Sequence, residues 1–233
     1  MNNWIISIIV IVCIIGGIIF LNKMNTPPLA QDFKGIRYVA LGDSYTIGEG
    51  ASTAEAWPSL LTEHLKKDRI DIELIANPSV TGWTTQDVIN NELRIYDASN
   101  PTFATLLIGV NDWVQGVPKE TFRANLIIIL DRMQAKLPDK SNLILVTIPD
   151  FSVSPRGMTY GNGRDIAQGI AEFNEVIKEE AQKRNLQIVD IYPLSQEKGS
   201  DPSMIAADTL HPSAKMYAEW EKLIYPVVYE MLR

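Results

Sequence analysis

Gly42-Asp43-Ser44-Tyr45 closes an apolar run from Ile36 to Leu41, and Asp208-Thr209-Leu210-His211 stands just before the last helical pattern. The pair offers a serine, a carboxylate and an imidazole in that order along the chain. A serine hydroxyl attacks an acyl carbon only when a base takes its proton and a partner fixes the tautomer of that base. The chain has two histidines. His64 falls on an apolar stripe with Trp57, Leu60, Leu61 and Leu65, so it reads as a histidine at the core margin. His211 follows a long loop and precedes Pro212. A turn over the Asp-x-x-His spacing brings the Asp208 carboxylate to Nδ1 and leaves Nε2 for Ser44. Taken singly, Ser44 and Asp208 also suit plain helix caps. The strained elbow of one hydrolase class needs glycine two residues after its serine, and Thr46 stands there instead.

Acyl transfer also needs donors aimed at a developing oxyanion. The Ser44 backbone N–H is one. Gly82, in Asn77-Pro78-Ser79-Val80-Thr81-Gly82-Trp83, brings a second N–H close because no side chain intervenes. Asn111, in Gly109-Val110-Asn111-Asp112, offers a side-chain amide. Turn chemistry alone explains each of these in isolation. Together and in this order, Gly42-Asp43-Ser44, Gly82, Gly109-Val110-Asn111-Asp112 and Asp208-Thr209-Leu210-His211 resemble the four blocks of the SGNH (GDSL) hydrolase family. The element Trp57-Pro58-Ser59-Leu60-Leu61 follows the first block, and the resemblance spans about residues 36 to 230. It implies a flavodoxin-like α/β/α sandwich and no metal or other cofactor. By the same resemblance Ser44 is nucleophile and first oxyanion donor. Gly82 and Asn111 are the other donors, His211 is the base and Asp208 orients it.

Strand-like and helix-like segments alternate, which predicts a parallel sheet covered on both faces. The strand candidates are 36–41, 70–76, 102–108, 142–148 and 187–191, five in all. Thr84-Thr85-Gln86-Asp87 has the form of a capping box. Pro118 suits a first helical position ahead of the stripe Phe122, Leu126, Ile129, Leu130, Met133 and Leu137. Ile166, Ile170, Phe173, Ile177 and Ala181 form another stripe. Pro212 opens the last helix, where Pro226 is expected to kink it. The three-layer α/β/α sandwich thus expected places ligands beyond the carboxyl ends of its strands. Ser44, Gly82, Asn111 and the segment after Asp190 all follow strands.

The 233-residue chain has 21 basic and 28 acidic side chains. Only Lys23 lies in the first 30 residues, leaving 20 basic against 28 acidic, a formal charge of −8, on residues 31–233. An acidic domain without a basic stripe argues against nucleic-acid binding. Trp4 to Leu21 is an uncharged run of 18 residues. It is long enough to anchor the chain in a membrane as a helix. A cleaved signal segment is the other reading, though no basic stretch precedes the run and no Ala-x-Ala site follows it. The expected organisation is therefore 1–30 as transmembrane anchor (or signal segment) and linker, and 31–233 as the hydrolase domain. Cys13 is the single cysteine, so disulfides say nothing of the compartment. Lys23, Lys34 and Arg37 beyond the run favour a cytoplasmic domain on the positive-inside count. Export behind an N-terminal anchor favours an extracytoplasmic one, which is the reading adopted.

The reaction expected is hydrolysis of a small acyl ester, and the partners expected are that substrate, a lipid among the candidates, and the membrane, with no nucleic acid. Tyr45, Ile47, Trp83 and Trp113 flank the chemical groups and either line an acyl pocket or cover the sheet edge. Tethering near lipid tilts the expectation toward a lipid or lysolipid ester over a cell-wall O-acetyl group. Asp43 and Asp112 suggest no cationic pocket for phosphate. The segment 151–163 reads as a lid or a plain connection. Two other classes stay open. A tethered, non-enzymatic binding module is compatible with the fold, and a flavin protein fits Gly42-Asp43-Ser44-Tyr45-Thr46 only loosely.

Overall fold

The computed structural model describes residues 33–233. The expected anchor, Trp4 to Leu21, and the linker that follows it lie outside the described residues. Residues Gly35–Arg233 form one unit built on five parallel strands. They are β1 (Ile36–Gly42), β2 (Ile72–Ala76), β3 (Phe103–Leu107), β4 (Leu143–Val146) and β5 (Gln187–Val189). Their order across the sheet is β2-β1-β3-β4-β5. The chain direction across the sheet reverses between β1 and β3, and the crevice at such a switch point is where open parallel sheets bind ligands. β3 and β4 are buried along their whole length, as a sheet covered on both faces requires.

The helices are α1 (Ser44–Ile47), α2 (Trp57–Lys67), α3 (Thr85–Asp87), α4 (Leu93–Ser99), α5 (Val110–Val114), α6 (Lys119–Lys136), α7 (Ile166–Lys183), α8 (Tyr192–Lys198) and α9 (Ala214–Leu232). α2 packs on α9, while α4, α6 and α7 lie side by side. The stripes expected from the sequence supply the core: Leu61 and Leu65 of α2, Phe122 through Met133 of α6, and Ile170 through Ala181 of α7. Phe122 and Phe173 stack at 4.5 Å between α6 and α7.

Several boundaries differ from the sequence reading for identifiable reasons. β4 ends at Val146 because the Asn174 amide takes the place of a neighbouring strand. Its Oδ1 accepts the Ile148 N–H at 2.7 Å, and its Nδ2 donates to the Ile148 carbonyl at 2.9 Å. β5 stops at Val189 because the Ile191 N–H turns to Thr147 Oγ1. Pro118 is the cap before α6 rather than its first residue. Ser213, not Pro212, caps α9, and α9 runs through Pro226, which lies on its exposed side. The capping box forms as expected, with Asp87 accepting from both the N–H and hydroxyl of Thr84. It opens a segment in which a π-turn, Val88–Glu92, joins α3 to α4. That turn swings Glu92 beneath the first block. Among the described residues no helix is long and apolar enough to cross a membrane.

Candidate active site

Ser44 is the first residue of α1, directly after β1. The turn exists because Gly42 has no side chain. A Cβ there would sit 2.2 Å from both the Leu107 carbonyl of β3 and Thr46 Oγ1. Asp43 caps α1 by accepting the Tyr45 N–H at 3.0 Å. Its carboxyl is fully buried, and burial, with the nearby Asp112 charge adding, pushes its pKa up to about 8. Glu92 also lies completely buried and accepts the Gly42 N–H at 3.0 Å. Burial pushes this carboxyl up to about 9. Burial thus favours the protonated form of both acids, which lowers the cost of holding them in the core.

Asp208 and His211 occupy the loop between α8 and α9. Asp208 Oδ1 accepts the backbone N–H groups of Leu210 and His211, each at 3.0 Å. Its Oδ2 lies 2.5 Å from His211 Nδ1. Partial burial works against the Asp208 charge, but the bonds from the His211 ring and the two backbone N–H groups outweigh it and hold the carboxyl below its ordinary range. A carboxylate at Nδ1 makes that nitrogen the donor, so Nε2 is left as the acceptor. Thr209, inside the turn, takes a left-handed backbone (φ 63°).

Ser44, Gly82, Asn111 and His211 line one cavity of about 230 Å³. Among the described residues no acceptor takes the backbone N–H of Ser44 or of Gly82, and no hydrogen bond yet joins Ser44 Oγ to His211. Catalytic hydrogen bonds of substrate-free sites are commonly loose and tighten on binding. Gly82 adopts φ 84°, a left-handed conformation suited to glycine, and the space above its Cα is open. Asn111 Nδ2 donates one hydrogen to the Trp83 carbonyl at 2.9 Å. Its other hydrogen makes a longer bond to the Asp43 carboxyl, at 3.5 Å, the weaker of the two and the one a ligand would displace.

The remaining wall comes from Tyr45, Glu49, Thr81, Val110, Val114, Phe151, Arg156, Tyr160 and Leu210. Of the four aromatic or aliphatic side chains expected near the site, only Tyr45 lines it. Trp113 is buried away from the cavity, with the Arg164 guanidinium 4.0 Å above its ring and Phe151 edge-on. Ile47 and Trp83 are half-buried elsewhere. Asp43 and Asp112 do not face the cavity either. Asp112 accepts from the N–H and hydroxyl of Thr85, and burial raises its pKa. Asp43 and Asp112, from which no cationic pocket for phosphate was expected, are absent from the cavity lining, which instead includes Arg156.

Glu49 and Arg156 are wall residues the sequence did not single out. Glu49 accepts the Thr81 hydroxyl, its Oε2 lies 3.8 Å from His211 Nε2, and its backbone carbonyl accepts the Tyr217 hydroxyl at 2.8 Å. Glu49, Asp208 and His211 each offer a ligand atom within 4.8 Å of the others. They converge because the two carboxylates flank the two nitrogens of one ring, with Nδ1 already engaged. His64 is remote from the cavity lining. It bonds to Glu221 at 2.8 Å and stacks on Tyr225 at 3.7 Å, between α2 and α9.

Fold and cavity together define a three-layer α/β protein that gathers the polar groups of acyl transfer at the switch point of its sheet. The chain belongs to the GDSL-like lipase/acylhydrolase family, whose pattern matches residues 40–219. As a member of that family it is a carboxylic ester hydrolase. An arylesterase of Vibrio mimicus is 27% identical over 144 residues, which is 60% of this chain and 68% of that protein. The solved structure of TesA superposes with a TM-score of 0.68 at 19% identity, covering 84% of this chain and 99% of TesA. Axe2, an acetylxylan esterase from Geobacillus stearothermophilus, superposes at 0.67 with 19% identity, covering 83% and 94%. At these identities the structural likenesses speak for the fold.

Proposed function

We propose that the protein is a serine esterase that cleaves short acyl esters through Ser44, His211 and Asp208. The observation that carries this reading is one cavity lined by Ser44, His211, Gly82 and Asn111, in which the backbone N–H groups of Ser44 and Gly82 have no acceptor among the described residues and the Asn111 amide is held only weakly on one side. His211 Nε2 takes the Ser44 proton as Oγ adds to the ester carbonyl. The N–H groups of Ser44 and Gly82 and the Asn111 amide hold the oxyanion. Asp208 keeps the imidazole in the tautomer that accepts at Nε2 and stabilises the imidazolium. Collapse expels the alcohol, which leaves with the proton from His211. A water deprotonated by the same nitrogen then adds to the acyl-enzyme, and the acid departs as Ser44 regains its proton.

Pockets for drug-sized ligands span roughly 300–1,000 Å³. A cavity of about 230 Å³ suits a short acyl group better than the long lipid chain favoured by the sequence. Val110, Val114, Phe151, Tyr160 and Leu210 give that group an apolar seat. An acetylated sugar is a second substrate class, because Glu49 and Thr81 on the wall can meet sugar hydroxyls. Rates across p-nitrophenyl esters from acetate to palmitate, with lysophosphatidylcholine and an acetylated xylan beside them, are expected to peak at the short esters. A maximum at palmitate would reverse the size argument. Ser44→Ala is expected to abolish both turnover and labelling by a fluorophosphonate, and undiminished turnover in that variant sinks the mechanism. We also propose that Trp4–Leu21 tethers this domain to a membrane, on its extracytoplasmic side. Release by alkaline carbonate would contradict the tether, and protection from protease added to intact cells would contradict the sidedness.

A further inference from the structure

We propose that Arg156 makes this cavity selective for esters carrying an oxyanion group, a carboxylate or phosphate, close to the scissile bond. The inference rests on the esterase reading for its chemistry. It rests on Arg156 itself for its recognition.

Arg156 is the one arginine or lysine among the cavity-lining residues. Several arginines of the domain are engaged, Arg123 and Arg184 with Glu180, Arg132 with Asp97, and Arg164 with the Trp113 and Val114 carbonyls, while Arg69 and Arg94, also without a side-chain partner among the described residues, lie outside the cavity lining. Among the described residues the Arg156 guanidinium has neither a hydrogen-bond acceptor nor an ion-pair partner. Glu49 shares the same wall, yet no ion pair joins the two; the Glu49 carboxylate is taken by Thr81.

The backbone of Arg156, by contrast, is held at both ends of the residue. Its N–H donates to the Thr209 carbonyl at 3.0 Å, inside the turn that carries Asp208 and His211. Its carbonyl accepts from the Thr159 N–H at 3.1 Å and from the Thr159 hydroxyl at 2.7 Å. The segment 151–163 is therefore not an open connection. It holds two short 3₁₀ turns, Phe151–Val153 and Gly157–Gly161, and is tied to the base-bearing loop. A fixed backbone with an unpaired guanidinium at a cavity presents five N–H donors in a fork that matches carboxylate or phosphate oxygens. Asp43 and Asp112 do not line the cavity, and the one carboxylate that does, Glu49, is bonded to Thr81.

The test compares kcat/KM for charged and neutral esters of matched size. One pair puts the charge on the acyl side, 4-nitrophenyl hemiglutarate against 4-nitrophenyl pentanoate. The other puts it on the alcohol side, acetyl glycerol 3-phosphate against monoacetylglycerol. The wild-type protein is expected to prefer the anionic member of at least one pair by about tenfold at low salt, as befits a charge-assisted bidentate contact. The preference should shrink as ionic strength rises, because Arg156 is exposed. It should be lost in Arg156→Gln and partly kept in Arg156→Lys. The pair that responds identifies which side carries the charge. A wild-type preference for the neutral member of both pairs, or a charge preference unchanged in Arg156→Gln, overturns the inference. Calorimetric binding of the hemiglutarate ester to Ser44→Ala, alone and combined with Arg156→Gln, separates the two readings. Binding that weakens tenfold with Arg156→Gln sustains this inference even if the wild-type protein cleaves neither ester. Equal binding by both proteins rejects it even if hydrolysis is fast.

Discussion

Glutamine at position 92 isolates the effect of a buried acid on the pH dependence of folding. Glu92 has no solvent exposure, Oε2 accepts the Gly42 N–H, and Oε1 has no partner. Burial, with smaller additions from Asp43 and Asp87, puts its pKa at about 9. An unfolded glutamate titrates near ~4.3. Between those values the folded protein keeps a proton that the unfolded chain releases. The sign follows: the contribution of Glu92 to stability is fully present below about pH 4 and is lost as pH rises toward 9. Each pH unit in that window costs about 1.4 kcal/mol per proton. From pH 5 to pH 8 the loss is therefore about 4 kcal/mol. Glutamine keeps an acceptor for Gly42 but cannot titrate. It also places an amide nitrogen where Oε1 has no partner, a penalty of about 1–3 kcal/mol that does not vary with pH. Urea unfolding of Glu92→Gln and wild type at pH 5, 6, 7 and 8 reads the slope apart from the offset. The variant should gain on wild type by about 1.4 kcal/mol per unit. Asp43, with a pKa near 8 from the same cause, titrates in both proteins and leaves some slope in each. Parallel stability curves for the two proteins would show that Glu92 is charged in the fold, and the argument from burial would fall.

Asn111→Ala should lower kcat by about 10²–10³ while leaving KM within a few-fold, the signature of a lost oxyanion donor; an equal rise in KM would point instead to the lost bond to Trp83. Gly82→Ala meets no steric obstacle above its Cα but must hold φ near 84°. It should destabilise the loop by about 1–2 kcal/mol, seen as a lower Tm together with slower turnover. His64→Ala removes the bond to Glu221 and the stack on Tyr225. Its turnover should match wild type, with stability reduced by about 1 kcal/mol or less in urea unfolding.

Strand and helix positions were legible because strands buried on both faces read as short apolar runs and helices as stripes of period 3.6. So was the gathering of Ser44, Gly82, Asn111 and His211, because every one of them follows a strand of a parallel sheet. The ends of β4 were not legible, since they depend on the Asn174 amide meeting Ile148 from another element. Nothing in the residue order marks Glu92 as buried, and the π-turn at Val88–Glu92 is what rotates it inward. Arg156 and Glu49 escaped notice for a related reason. Arg156 reaches the site through a bond to Thr209, and Glu49 through Thr81, contacts between loops far apart in sequence. The aromatic side chains misled in the opposite direction. Trp113 neighbours Asn111 in sequence, yet the helical turn of α5 aims it into the core.

The loops around the cavity are laced to one another. Thr81 is tied to Glu49, Glu49 to Tyr217, Asn111 to the Trp83 carbonyl, and Arg156 to Thr209. Each tie joins segments that follow different strands or helices, so no single loop can swing out without breaking a bond to its neighbour. Widening the mouth demands several ruptures at once, and brief thermal excursions will seldom achieve it. A rim tied in this way is expected to admit slender esters ahead of bulky ones, and turnover of linear against branched acyl esters of equal carbon number would read the difference.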